Sequence, residues 1–250
     1  MSIVVQRSHL VAREHRARFE QLSAEGVWPA LLQLGSRMLA YGSWPFGGPA
    51  GVVVTHTAYE GFEHWLATRS DFSGTRGALL QEEALRAPAQ TLLQAAEARA
   101  SLTGGSEARV IEVDDEVCDL GVHYRRGEVP PAALPPTFGR GSVISERTYQ
   151  LAYGGQGEFL RLSQTHVWPW LEQQGVRMVA YGHDPLGPSD EVVTLFAFRS
   201  LLDWHRLSRP TEERASAEVE RAWHRRSALI RRHRGRLLLV ETDFGDQGAP

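Results

Sequence analysis

The chain repeats itself, and this repeat constrains its fold more than any other feature of the sequence. Residues 19–47 and 159–187 are identical at 16 of 29 positions, at a constant offset of 140. Each segment contains a Trp-Pro step, at Trp28 or Trp168, followed by the motif Gly-x-Arg-Met-x-Ala-Tyr-Gly. After an extra glycine at positions 47–48 the match continues at an offset of 139. A repeat of this length indicates two copies of one structural unit.

The hydrophobic pattern predicts the same order of elements in both copies. In each, an alternating strand precedes a helix that the Trp-Pro step bends or interrupts and that a glycine ends. Two strands joined by a Gly/Pro turn, a second helical region and a closing strand follow. The predicted first strands are residues 3–10 and 142–151, the first helices 14–34 and 158–174, the second helical regions 59–100 (with a helical tail over 78–100) and 200–234 (interrupted near Pro210), and the closing strands 108–113 and 236–242.

The order βαββαβ predicts an α+β unit of the ferredoxin-like type, whose sheet is covered by helices on one face only. The other apolar face needs a partner, and in a duplicated chain the sister sheet can supply it. We therefore predict two fused ferredoxin-like βαββαβ units, residues 1–115 and 142–245, that form an intramolecular dimeric α+β barrel. Residues 116–141 are rich in proline and glycine, which predicts a linker over the surface. A monomer is then viable, and a homodimer stays open.

Composition excludes several kinds of chemistry. All 27 basic residues are arginine, so no lysine is present for a Schiff base with pyridoxal phosphate or for a P-loop. The single cysteine, Cys118, excludes an intramolecular disulfide and cysteine-based metal sites. The net charge of −3 does not indicate a basic surface for nucleic acid. The sequence shows neither a membrane-spanning run of about 20 apolar residues nor the apolar core of a signal peptide. We expect a cytoplasmic protein with a small-molecule substrate and without a nucleic-acid or membrane partner.

Three pieces of the second copy resemble a known family. They are Glu-Arg-Thr-Tyr-Gln-Leu at residues 146–151, the helix start at residues 157–162, and the Gly-Pro-x-x-x-Val-Val turn at residues 187–193. On these motifs the second copy is similar to the NIPSNAP family of the dimeric α+β barrel superfamily. The first copy departs from the pattern, with Val-Gln-Arg-Ser-His-Leu at residues 5–10 in place of the first motif. The resemblance implies the fold, with a ligand pocket between sheet and helices or between the sheets.

The duplication also ranks candidate site residues, since matched positions favour the shared frame and unmatched polar residues favour specialisation. Histidine is a common acid/base near neutral pH, and an Arg–Tyr pair can orient an oxyanion. The catalytic candidates are His56, His166, His183, Arg147 and Tyr149. The substrate-binding candidates are Arg37, Tyr41, Arg177, Tyr181, Trp28 and Trp168. The alternative interpretation is an ion pair with Glu146 or Glu112 for Arg37 and Arg177, and a packed edge of the core for Arg147 and Tyr149. For the histidines it is a surface position or a satisfied position in the core. Alternation places Arg37, Leu39 and Tyr41 on one face of the second strand and Met38 and Ala40 on the other.

Three functions remain open. The first is a cofactor-independent enzyme of specialised (natural-product) metabolism, acting on a hydrophobic oxygenated molecule by cyclisation, isomerisation, dehydration or oxygenation. The second is a non-catalytic small-molecule-binding or scaffold protein, and the third is a haem- or metal-dependent enzyme. No HExxH, His-x-His or CxxC motif occurs, so no metal and no cofactor are predicted.

Overall fold

The computed structural model describes residues 1–69, 83–122, 139–208 and 215–243. Both halves follow the predicted order βαββαβ, with the helical regions divided into shorter helices. The first half contains β1 (Ile3–Val11), α1 (Arg16–Leu22), α2 (Trp28–Gln33), β2 (Arg37–Phe46), β3 (Val52–Tyr59), α3 (Phe62–Ala67), α4 (Glu83–Ala100) and β4 (Thr103–Val113). The second contains β5 (Val143–Leu151), α5 (Gln156–Leu162), α6 (Trp168–Gln173), β6 (Arg177–His183), β7 (Glu191–Phe198), α7 (Leu201–Leu207), α8 (Ala217–Ala228) and β8 (Ile230–Val240).

The eight strands close into one barrel in the order β1-β3-β2-β8-β5-β7-β6-β4, and β4 pairs with β1. Within each unit the central strand, β1 or β5, lies between two antiparallel neighbours. Two seams join the units, β2 with β8 and β4 with β6. Because every strand has two partners, neither sheet has an open edge. The predicted intramolecular dimeric α+β barrel is confirmed.

Strand alternation divides the apolar residues into three cores. One fills the barrel between the two sheets, and one lies between the sheet and helices of each unit. The barrel core also contains Cys118, Leu120 and Val122, which are all buried. The prediction of a surface linker is therefore wrong for its first residues, because these alternating apolar side chains enter the barrel. Residues 123–138 of the predicted linker lie outside the described residues.

A π-helical turn precedes Trp-Pro in both units, at Ser23–Val27 and Ser163–Val167. Proline cannot donate a helical hydrogen bond, and the wider turn accommodates this loss before the helix resumes. The predicted interruption at Trp-Pro is thus observed. Gly35 and Gly175 end the helical segments with φ of 81° and 83°, the left-handed conformation expected at a glycine C-cap.

Two sequence predictions of local structure are wrong. A register shift between Met38 and Ala40 turns Met38 and Tyr41 towards the helices and Leu39 and Ala40 into the barrel, so simple alternation fails in β2. The predicted helix through residue 234 instead ends at Ala228, and the arginine-rich run after it is strand β8 paired with β5. A charged run on a solvent-exposed strand has the same composition as a solvated helix face. No helix in the described ranges is long and apolar enough to cross a membrane.

Candidate functional site

The first unit contains a cavity of about 390 Å³ between its sheet and its helices. This volume is at the lower end of the range for ligand pockets, roughly 300–1,000 Å³. No carboxylate is among the described residues that line it. Its polar side chains include Arg7, His9, Thr55, Thr57, Tyr59, Arg69 and Arg99, and its apolar ones include Trp28, Leu31, Met38 and Leu92. The cavity therefore combines a cationic part with an apolar wall.

His9 is the buried acid/base group of this cavity. Its side chain leaves β1 towards the helices, is 4% exposed, and packs against Phe19 with ring centres 5.2 Å apart. Burial, together with the charges of Arg99 and Arg7, lowers the pKa of His9 to about 3. The imidazole is therefore neutral near pH 7. Within the described residues, its buried Nε2 has no hydrogen-bond partner.

Two arginines flank this histidine. Arg7 precedes His9 by two residues on the same face of β1, and Arg99 comes from the last turn of α4. The Arg99 guanidinium lies 4.8 Å from the centre of the Phe19 ring, and its Nη1 donates to Ser23 Oγ at 3.2 Å. Burial and the charge of Arg7 lower the pKa of Arg99 to about 10. Both guanidinium groups remain charged near pH 7, which makes the cavity a site for an anionic or electron-rich oxygen.

The equivalent space in the second unit is nearly filled, with a volume of about 20 Å³. Arg226 matches Arg99, since its Nη1 donates to Ser163 Oγ at 3.3 Å and its guanidinium lies 4.9 Å from the Phe159 ring. Three substitutions account for the lost volume. They are Tyr149 for His9, Phe196 for Thr57, and Trp223 for Ala96, each pair in equivalent positions of the two units.

The structure distributes the predicted catalytic residues over four places. Arg147 and Tyr149 lie together in the filled space of the second unit. His56 is fully buried inside the barrel. His166 is partly buried, with Nδ1 3.6 Å from Glu218 Oε1, and His183 is half exposed, with Nε2 2.9 Å from Glu112 Oε2. The three histidines are thus far from forming one cluster, and their catalytic roles stay predictions.

His56 belongs to a polar network at the centre of the barrel. Its Nε2 lies 2.6 Å from Gln6 Nε2, which also donates to Glu146 Oε2 at 2.6 Å. Arg109 and Arg236 both bind Glu146 Oε1. Burial is the main cause that lowers the pKa of His56, to about 4. Burial alone would raise the pKa of Glu146, but Arg236, the hydrogen bond from Gln6 and the charge of Arg109 together keep it below its ordinary value. The network is a neutral imidazole beside a paired carboxylate.

The predicted substrate-binding residues also separate. Trp28 lines the first-unit cavity, and Tyr41 packs edge-on against it with ring centres 5.3 Å apart. Trp168 and Tyr181 form the matching pair in the second unit, at 5.4 Å. Arg37 is buried and donates from Nη1 to the Leu120 carbonyl at 3.3 Å, whereas Arg177 is exposed. Of the six, only Trp28 is among the residues lining the open cavity.

Sequence reasoning missed the three side chains that define this cavity: Arg7, His9 and Arg99. The sequence comparison could have identified His9, because this position is a histidine in the first copy and a tyrosine in the second. It could not have identified Arg99, because segments of different length precede α4 and α8 in the sequence and the two helices align only in space. In the described ranges, no group of three or more His, Cys, Asp or Glu is placed to hold a metal ion. The described lining of the cavity offers a metal one imidazole and no carboxylate or thiolate, and this donor set does not fit a protein-held metal.

Comparison with known proteins agrees with the fold and with the resemblance of the second unit. Residues 144–244 match the model of the NIPSNAP family. A provisionally assigned monooxygenase from Lactobacillus acidophilus NCFM superposes with a TM-score of 0.57 and 8% identity, over 95% of this chain and 92% of that one. A second such protein, from Fusobacterium nucleatum, gives 0.57 and 10% over 96% and 92%. No curated protein matches the sequence significantly. The second unit is therefore NIPSNAP-like, and the whole chain has the architecture of the dimeric α+β barrels.

Proposed function

We propose that this protein is a cofactor-independent enzyme that binds a hydrophobic, oxygenated small molecule in the first-unit cavity and acts on it by acid/base chemistry. The observation that carries the proposal is the buried Nε2 of His9, which has no hydrogen-bond partner in the described residues and lies in an open cavity between two arginines. A buried polar atom without a partner costs free energy unless a ligand or water completes it. The second unit, which fills the same space, shows that the fold does not require the opening.

The chemistry follows from the protonation states. Neutral His9 accepts a proton at Nε2 from an acidic C–H or O–H of the bound molecule. The electron pair left behind becomes an enolate or phenolate, whose oxygen Arg7 and Arg99 stabilise. The negative oxygen offsets the two guanidinium charges that lower the pKa of His9, so the base strengthens as the anion forms. Tyr59, buried in the same cavity with its pKa raised by burial, stays neutral and can donate a hydrogen bond.

Such an anion can go on to cyclisation, isomerisation, dehydration or oxygenation. Two structures that are similar over the whole chain belong to provisionally assigned monooxygenases, which makes oxygenation one of the reactions to try first. We further propose that the protein acts in specialised metabolism in the cytoplasm on a small-molecule substrate, as a monomer or a homodimer. The apolar wall of Trp28, Leu31 and Met38 supports a hydrophobic substrate.

The test is exchange of acidic C–H protons in D₂O, followed by proton NMR with 2-indanone as an enolisable probe. The wild-type chain should accelerate exchange over buffer, and His9→Gln should lower the protein-dependent rate by about 100-fold, the usual contribution of a positioned base. The control is His205→Gln, which changes an exposed histidine of the second unit. Full exchange activity in His9→Gln would remove His9 from the mechanism.

A non-catalytic binding protein is the second candidate, and the low pKa of His9 is the observation that favours it. A histidine with a pKa of about 3 is a weak base unless the ligand changes its surroundings. Tight binding of probes without any acceleration of proton exchange would support this second function over the first.

A further inference from the structure

The second unit shows what the first-unit cavity is built to accept. Tyr149 stands where His9 stands in the first unit and reaches into the space beside Arg147 and Arg226. The Arg226 guanidinium lies 5.8 Å from the centre of the Tyr149 ring. Burial alone would raise the pKa of Tyr149, but the charges of Arg147 and Arg226, with a hydrogen bond from Arg147, bring it below its ordinary value. The second unit thus holds a phenol oxygen against two arginines.

We infer that the ligand of the first unit is a planar phenol or enol, bound through its ionised oxygen between Arg7 and Arg99, where the second unit places the Tyr149 hydroxyl. This inference rests on the proposed function only for the location of the site. The first unit keeps both arginines but has the shorter His9 side chain where the second unit has Tyr149, so it lacks a phenol at this position. The ligand supplies the missing group.

The rest of the cavity agrees with a flat ring attached to that oxygen. Ala96 and Thr57 leave open the space that the rings of Trp223 and Phe196 occupy in the second unit. A ring placed there would contact Trp28, which lines the cavity from α2. The described lining of the cavity contains no carboxylate that would compete with the ligand oxygen for the Arg99 guanidinium.

Three para-substituted probes of nearly one shape separate the possible ligand chemistries. 4-Nitrophenolate carries the proposed oxyanion, 4-nitroanisole is its neutral counterpart, and 4-nitrobenzoate presents a carboxylate. Calorimetric titration should give one site per chain, with phenolate binding on the order of tenfold or more tighter than anisole, the size of a charge-assisted hydrogen bond. The bound phenol should also ionise at lower pH than the free one, which its absorbance reports directly.

Matched variants locate the site. Arg99→Gln should weaken phenolate binding by about tenfold or more and leave anisole binding within about twofold. Arg226→Gln, the same change in the filled unit, should leave the binding of both probes unchanged. His9→Tyr should place an internal phenol between the arginines, as Tyr149 does, and reduce binding of both probes by at least about tenfold. Circular dichroism confirms that each variant is folded before it is compared.

Several results would overturn the inference. They are equal affinity for phenolate and anisole, tighter binding of 4-nitrobenzoate than of the phenolate, absence of phenolate binding, or equal losses in Arg99→Gln and Arg226→Gln. These outcomes are independent of the proton-exchange assay. A protein that exchanges protons but does not prefer the phenolate keeps the proposed function and loses this inference. One that prefers the phenolate without exchange keeps the inference and loses the catalytic proposal.

Discussion

At the scale of single residues, duplication lets positions that a symmetric dimer would keep identical become different. Gln6 and Glu146 are equivalent, and their side chains meet at the centre of the barrel with Gln6 Nε2 donating to Glu146 Oε2 at 2.6 Å. Two glutamates there would repel one another, and one of them would have to stay protonated. The single chain replaces one of them by an amide, which turns the repulsion into a hydrogen bond. The same freedom separates His9 from Tyr149 and His56 from Leu195.

His56→Leu should make folding less sensitive to acid. An unfolded histidine titrates near pH 6.5, but buried His56 titrates near 4, so the unfolded state binds more protons as the pH falls between these values. The contribution of buried His56 to the unfolding free energy is fully present above about pH 6.5. It should decrease by about 2 kcal/mol between pH 7 and pH 5. Leucine, which the second unit has at the equivalent position, removes this loss.

Urea unfolding at both pH values measures the difference. His9 and Glu146 also make the folded protein less stable as the pH falls, because the pKa of each is lowered on folding. The variant should therefore keep part of the wild-type dependence of unfolding free energy on pH. If His56→Leu and wild type lost the same unfolding free energy between the two pH values, the neutral buried state of His56 would be wrong.

At the scale of secondary structure, the two π-helical turns position the arginines that face the helix-side spaces. Ser23 and Ser163, the first residues of the turns, donate to the carbonyls of Phe19 and Phe159 at 2.7 Å. The same hydroxyls accept from Arg99 and Arg226. The turn that Trp-Pro imposes therefore also anchors a cation from the second helical region, on both sides of the barrel.

Ser23→Ala and Ser163→Ala should have the same effect on stability and different effects on binding. Each leaves a buried guanidinium without one acceptor, which costs about 1–3 kcal/mol of unfolding free energy. Only Ser23→Ala loosens an arginine of the open cavity, so only this variant should bind 4-nitrophenolate more weakly. Denaturant unfolding and the calorimetric titration give the two quantities, and an equal loss of binding in both variants would contradict the positioning role of Ser23.

Some features of the secondary structure can be predicted from the sequence and others cannot, for physical reasons. Trp-Pro and the glycine caps act within one turn of helix, so the interrupted helix and its end were predicted correctly. The displaced register at Leu39 depends on pairing with a distant strand, and local alternation cannot show it. The open cavity depends on Ala96 against Trp223, a difference between helices that only the folded structure superposes.

At the scale of the whole molecule, the fold was predictable because the repeat gives two sheets that each need one partner. The residues that complete the barrel core and the strand pairs that join the two units were less predictable from the sequence. Cys118, Leu120 and Val122 of the predicted linker enter the barrel, since a short apolar stretch inside a Pro/Gly-rich segment has no distinct composition. The sequence also contained no sign of which strands pair at the two seams. One pairs Gly42 with Val240, and the other pairs Gly182 with Val113, so equivalent glycines of the two units lie at both.

Gly182→Ala should open the seam between β4 and β6. A Cβ at Gly182 would overlap the carbonyl oxygen of Glu112, and no side-chain rotation relieves a clash with backbone. We expect a loss of about 3 kcal/mol or more in unfolding free energy, and faster amide exchange in β4 and β6 than in β1 and β5. The control is Gly157→Ala in α5, where a Cβ meets open space and should be neutral or stabilise by up to about 1 kcal/mol. Because the barrel closes through only two seams, a variant that lost stability without faster exchange at β4 and β6 would show that the glycine serves its own unit and not the junction.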